Sequence, residues 1–330
     1  MINPYVFIVG CPRSGTTLLQ RVVKAHAKIA IMPEAPWIPR EFRRESGLTS
    51  EGMVTADLIP QLLEHPKFSR LGFDRDQLPT LVNNRRPVSY SSFVSCIFDL
   101  FGKRKGKELV GNKTPGFVRK IESLHRLWPE ARFVHLIRDG RDVYLSMINR
   151  PLRHVNLGPF NTWAQDPVTT AALWWELSVK WGRQAGSFLG PRRYYEIRYE
   201  SLVARPAEEC AVLCAFLGLP YEERMLRFHE RRKRAAPPSD AKQAWLSSEG
   251  ESEFRLRPIT PGLRDWRSQM TEEDVEKFEV ATGELLNELA YPRVFPRSRP
   301  ERLQHASRIR HLFALDRRGR ALQREGPREN

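Results

Sequence analysis

An α/β fold, with a parallel β-sheet flanked by α-helices in a three-layer sandwich, is predicted by three features of the sequence. Short apolar runs alternate with helix-length segments along the chain. One run, 132–137, is apolar enough for an inner parallel strand. Another, Val6-Phe7-Ile8-Val9, feeds a tight glycine turn that opens straight onto a helix.

The elements follow in order. Residues 5–10 read as a strand, 16–26 as a helix, 29–32 as a short strand, and Pro33-Glu34-Ala35-Pro36 as a turn. Residues 40–107 read as helical and irregular, with apolar spacing in Leu58-Ile59-Leu62-Leu63 and in Phe93-Val94-Ile97-Phe98, and are expected to cap the sheet and shape a cleft. A strand from Glu108 ends in a loop through Lys113 to Gly116, and a helix then runs to Trp128. After the strand at 132–137, Asp139 and Asp142 are spaced like an N-cap and its N3 partner at the start of a helix. A long helix is predicted over 168–188, a strand over 193–198, and helices over 206–217 and 271–289, the last with a capping pattern from Thr271 to Asp274. No internal repeat is present.

The 330 residues, 41% hydrophobic, suffice for a substantial core. The expected organisation is one domain over 1–296 and a basic C-terminal extension over 297–330. Four cysteines are too few for a disulfide framework; Cys210 and Cys214, one helical turn apart, lack neighbours to complete a zinc site and read as small apolar helix residues. No signal peptide and no bilayer-length apolar window is seen, so the expected compartment is the cytoplasm, with reduced thiols. The net charge of +15 is concentrated late in the chain, with eleven arginines between Arg293 and Arg328. Such a segment suits nucleic acid or an anionic membrane surface, but no aromatic platform interleaves with the arginines, which favours a solvated or partly disordered extension.

The chemistry is carried by strand ends, where open parallel sheets bind ligands. Gly10 and Gly15 bracket a four-residue P-loop-type turn, but Thr16 stands where a nucleotide triphosphatase needs lysine, and the cation sits inside the loop as Arg13. Backbone N–H groups, the helix dipole, the Arg13 fork and the Ser14, Thr16 and Thr17 hydroxyls together suit a phosphate or sulfate. Glu34, Lys113 and Arg138 follow three other predicted strands. Arg138 and Ser146, eight residues apart, can clasp a second phosphate, as a nucleotide phosphorylated at two ends requires. Asp139 and Asp142 fit a helix cap better than metal ligands. His26 and His135 read as structural, and Trp174, Trp175 and Trp181 as core or cleft wall.

At these residues the chain resembles sulfotransferases that use 3′-phosphoadenosine 5′-phosphosulfate (PAPS). Pro12-Arg13-Ser14-Gly15-Thr16-Thr17-Leu18 looks like their 5′-phosphosulfate loop, and Arg138-Asp139-Gly140-Arg141-Asp142 with Ser146 like their 3′-phosphate element. The spacing is most similar to protein-tyrosine sulfotransferases, through Glu34 to Arg40, Asn112-Lys113 with Pro115, and Arg198-Tyr199-Glu200-Ser201-Leu202-Val203 with Pro206. The resemblance implies a single sulfotransferase domain, PAPS as donor without a metal, Glu34 as catalytic base, Lys113 assisting transfer, and Tyr199 near the nucleotide; the charge of Arg13 suits it to hold the 5′-phosphate during transfer. It matches a further catalytic serine loosely to Ser247 or Ser248. The acceptor hydroxyl stays open among peptide tyrosine, sugar, lipid and phenolic small molecule, and so does homo-oligomerisation. The competing readings are a Mg-ATP-dependent small-molecule kinase and a protein that binds nucleic acid or an anionic surface through its arginine-rich end.

Overall fold

β1 (Val6–Gly10) is buried along its whole length and lies at the centre of a five-stranded sheet. The others are β2 (Ile29–Met32), β3 (Leu109–Lys113), β4 (Arg132–Ile137) and β5 (Tyr194–Arg198), in the order β2-β3-β1-β4-β5. β1 pairs in parallel with β3, Val6 opposite Gly111, and with β4, Val6 opposite Arg132; β2 pairs in parallel with β3. Parallel order brings the carboxyl ends of β1, β2 and β3 to one edge, so the segments holding Glu34, Lys113 and the glycine loop leave the sheet on the same side. The computed structural model describes residues 4–40, 47–49, 51–69, 71–73, 78, 88–149, 160–230, 259 and 264–325.

Among the helices, in chain order, are α1 (Thr16–Ala25), α2 (Tyr90–Lys105), α3 (Ile121–Leu127), α4 (Gly140–Ile148), α5 (Pro167–Leu189), α6 (Tyr199–Ala204), α7 (Pro206–Phe216), α8 (Glu272–Thr282) and α9 (Pro300–Glu325). The chain divides into two units: residues 1–10, 15–136 and 182–261, and residues 11–14, 137–181 and 262–330. Among the described residues no helix is long and apolar enough to cross a membrane.

The first unit holds the sheet, and side-chain alternation along β1 builds its two cores. Phe7 and Val9 join Met32, Phe93, Ile97, Phe98, Trp128 and Phe133 on one face, where the Phe7 and Phe133 rings stack with centroids 5.4 Å apart. Val6 and Ile8 join Leu19, Val22, Val23, Val134, Leu136 and Leu213 on the other. Each buried side chain of this size contributes about 2 kcal/mol relative to exposure. His26 and His135 are structural: His26 Nε2 lies 3.0 Å from the Pro220 carbonyl, and His135 Nδ1 2.6 Å from the Tyr194 hydroxyl. Burial, aided by Arg183, pushes His135 down to about 3, so the ring is neutral at physiological pH. Cys210 and Cys214 are core residues, Cys214 Sγ 3.5 Å from Met225 Sδ, with burial raising the thiols to about 12 and 11.

Two of the predicted helices are divided in the structure. The helix expected to run to Trp128 begins as a 3-10 segment, Pro115–Lys120, before α3, and the one expected over 271–289 is divided at Gly283 (φ 55°) into α8 and Leu285–Glu288.

The second unit is organised around a fully buried arginine. Arg141 donates from Nε and Nη2 to the two oxygens of Asp139 (3.0 and 2.7 Å) and from Nη1 to Glu279 (2.7 Å) and the Pro292 carbonyl (2.9 Å), and its guanidinium lies 3.6 Å from the Trp266 ring centroid. Glu279, equally buried, also accepts from the Val294 and Phe295 amides. The C-terminal basic segment contains α9, which buries Ile309 and Phe313 in the core with Phe160, Trp175 and Phe278. Its cations meet acidic partners: Arg299 and Arg302 reach Glu276, and Arg310 reaches Glu176.

Removing the Arg141 charge takes the shared guanidinium from two buried carboxylates, Asp139 and Glu279, and breaking a buried pair in this way costs about 3–5 kcal/mol. Arg141→Met should therefore lose about 3 kcal/mol or more in urea denaturation followed by tryptophan fluorescence; a loss under about 1 kcal/mol would show that the network does not hold this unit together.

Candidate active site

In the first unit, the site starts where the glycine loop becomes α1. Gly15 caps the helix in the left-handed region (φ 98°), where a side chain is strained, and a Cβ there would meet the Tyr199 ring at 2.6 and 2.7 Å. Tyr199, at the start of α6, thus packs its ring onto the loop glycine. Gly15 makes no side-chain cap bond to α1, and a helix start of this kind suits an anion. Thr16 is buried and Thr17 exposed.

Glu34 and Lys113, 79 positions apart in sequence, meet at the strand ends: Lys113 Nζ donates to Glu34 Oε1 at 2.9 Å and lies 3.5 Å from Thr17 Oγ1. Lys113 is nearly buried, its side chain only 7% exposed, because it closes β3 inside the sheet; Glu34 is 38% exposed. The turn before Glu34 is pinned from β3 as well. Asn112 Nδ2 donates to the Pro33 carbonyl at 2.7 Å, and the Ala35 amide to Thr114 Oγ1 at 2.9 Å. A second ammonium, Lys67, donates to Glu34 Oε2 at 2.8 Å. Burial pushes the Glu34 carboxyl up, but Lys113 and Lys67 outweigh it and leave it below the ordinary carboxylate value.

In the second unit, Arg13 takes a left-handed backbone (φ 79°) and donates from Nε to Ser146 Oγ at 3.2 Å. The loop cation and the α4 serine, assigned in sequence to opposite ends of a nucleotide, are thus in direct contact. The Ser14 amide donates to the Cys11 carbonyl at 3.1 Å, and its buried hydroxyl has no hydrogen-bond partner among the described residues, as a hydroxyl awaiting a ligand oxygen would. Arg138 donates to Asp142 Oδ2 at 3.1 Å, and its carbonyl accepts from Trp175 Nε1 at 2.9 Å. That contact requires Gly140, since a Cβ there would stand 2.5 Å from the Trp175 and Phe278 rings.

Asp139 caps α4 through the Arg141 amide at 2.9 Å, in accord with the capping pattern. Asp142 does not reach back as an N3 partner; it accepts from Arg138 and from the Trp266 amide at 3.0 Å, because a nearby guanidinium offers a stronger bond than the chain behind it. Burial, with Asp139 adding to it, pushes the Asp142 carboxyl up. Ser247 and Ser248 lie outside the described residues.

Guanidiniums and hydroxyls are donors of the kind that suit oxyanions, and a carboxylate bonded to a buried lysine is a pairing of the kind that proton transfer uses. The sequence family model named Sulfotransferase family matches residues 4–223, two thirds of the chain. This chain belongs to the sulfotransferase family. Protein-tyrosine sulfotransferase 1 of Danio rerio is 23% identical over 299 residues, covering 87% of this chain and 72% of the relative. Nodulation protein NoeE of Sinorhizobium fredii is 27% identical over 312 residues, covering 91% and 67%. The solved sulfotransferase domain of the Synechococcus PCC 7002 olefin synthase shares the fold, with a TM-score of 0.56 at 22% identity over 88% of this chain and 95% of that domain.

In this sulfotransferase the steric demand at Gly15 is measurable. Gly15→Ala should cost about 2 kcal/mol, from backbone strain plus overlap with Tyr199. Adding Tyr199→Ala should relieve the overlap and leave the backbone cost, read by chemical denaturation of both variants. Equal losses in the two would place no ring against the loop.

Proposed function

We propose that the enzyme transfers the sulfuryl group of PAPS to an acceptor hydroxyl, with Glu34 as general base. The observation that carries this reading is the chain Glu34–Lys113–Thr17, which ties a carboxylate through a buried ammonium to the first turn of the phosphate-loop helix. Arg13, Ser14, Thr16, Thr17 and the first-turn amides are the groups that would hold the 5′-phosphosulfate end, and Arg138 with Ser146 the 3′-phosphate. Bound there, PAPS supplies an activated sulfuryl group whose sulfur accepts the new bond.

Glu34 takes the proton from the acceptor hydroxyl as that oxygen bonds to sulfur, and the bond between sulfur and the 5′-phosphate oxygen breaks. Lys113 offers its ammonium to the departing bridging oxygen, and Arg13 balances the charge that collects on the phosphate. Products are the sulfate ester, adenosine 3′,5′-bisphosphate and one proton on Glu34. The depressed Glu34 carboxyl keeps the base ionised at neutral pH and well into the acid range, so activity is lost only as pH falls through that lowered value. Peptide tyrosine is the first acceptor to test, since protein-tyrosine sulfotransferases stand among the relatives.

Two measurements test the reading. Adenosine 3′,5′-bisphosphate should raise the melting temperature and ATP with Mg²⁺ should not, the response weakening in Arg138→Met and Ser146→Ala. Glu34→Gln should bind the bisphosphate normally yet transfer labelled sulfate from PAPS to a tyrosine peptide about a hundredfold more slowly. Stabilisation by ATP with Mg²⁺ alone would move the protein to phosphoryl transfer.

A further inference from the structure

Lys67 lies in a single helical turn, Pro66–Ser69, far in sequence from every motif that marks the site. Its ammonium is 2.8 Å from Glu34 Oε2, the oxygen that Lys113 leaves alone. We propose that Lys67 is a positioning residue for the base: from the Pro66–Ser69 turn it fixes the second carboxylate oxygen of Glu34. The inference rests on the reading of Glu34 as the base.

The two lysines are not equivalent. Lys113 is walled into the sheet and bonded toward the loop helix, whereas the Lys67 side chain is 39% exposed and anchored from an irregular connection. With one ammonium on each oxygen, rotation of the carboxylate about its last bond breaks both pairs at once, so the pair of lysines sets its plane. Each carboxylate oxygen still has a second lone pair, which leaves Oε2 able to accept the acceptor hydroxyl while Lys67 is bound.

Burial alone pushes Glu34 toward the protonated, inert form, and a single partner has to offset that cost unaided. Among the described residues, the charged groups facing Glu34 are Lys113 from β3 and Lys67 from the Pro66–Ser69 turn. The turn is itself held in place: the Lys67 amide donates to His65 Nδ1 at 3.1 Å, and the buried Phe68 ring packs edge-on against Trp37, three residues after Glu34, with centroids 5.1 Å apart. Lys67 is thus delivered to Glu34 by a packed aromatic pair and not by chance of a long side chain.

The test follows Glu34 directly, by titrating its side-chain carboxyl resonance in protein labelled with ¹³C-glutamate, assigned by its disappearance in Glu34→Gln. In Lys67→Met the midpoint should move to higher pH than in wild type, and Lys67→Arg should return it most of the way. Transfer from labelled PAPS to a tyrosine peptide should fall about threefold further at acid pH than at neutral pH in Lys67→Met, in kcat and not in the KM for PAPS. Where Lys67→Met does not fold, Lys67→Gln takes its place. An unchanged midpoint overturns the inference, as does a loss of activity that is equal at all pH and not restored by arginine. Normal turnover in Glu34→Gln would instead overturn the reading of the base itself, whatever the lysine variants do.

Discussion

A guanidinium cannot be taken out of water without anions around it, and in this protein that rule fixes the second unit. Arg141 is fully buried, and its hydrogen bonds join Asp139 at the start of α4, Glu279 on α8 and the backbone at Pro292. Glu279 in turn receives the amides of Val294 and Phe295. Because the compensation is complete, the first turn of α4 has one position, and with it Arg138 just before and Ser146 two turns on. A pair of this kind adds little net stability over an apolar equivalent, but it penalises every arrangement that leaves one charge alone. The residues assigned to the nucleotide are thereby supported by groups that would never touch it.

The first unit solves a different problem. The base proposed at Glu34 must be ionised and aimed, and a turn between prolines offers neither by itself. β3 supplies both, through Lys113 on the carboxylate and Asn112 and Thr114 on the backbone either side of it. A single strand end thus fixes the turn and its charge together, and the parallel register with β1 and β2 sets where that strand ends.

How much of this was legible in the sequence depends on the range of the interaction. Val6 to Gly10 and Arg132 to Ile137 announce themselves because strands buried on both faces must be apolar throughout, and the glycine loop because its conformation restricts residue choice. Glu34 and Lys113 were found through the rule that ligands gather at carboxyl ends of parallel strands, and the structure brings them into contact. Lys67 was invisible, since nothing in a short turn within an irregular stretch marks one lysine among many. The contact of Arg13 with Ser146 crosses 133 positions and leaves no local trace. α9 was read as charge alone. Its apolar pair Ile309 and Phe313, one turn apart, was the signal, and the surrounding arginines obscured it because their partners lie on α5 and α8.

The central place of β1 also governs when the fold can form. Its neighbours in the sheet are β3 and β4, more than a hundred positions later, and parallel pairing has no hairpin to bring them near. During synthesis β1 emerges before both neighbours and has no edge to join until β3, which ends at Lys113, is free. Until then a stretch of five apolar residues is exposed, and its protection falls to chaperones or to transient collapse with α1.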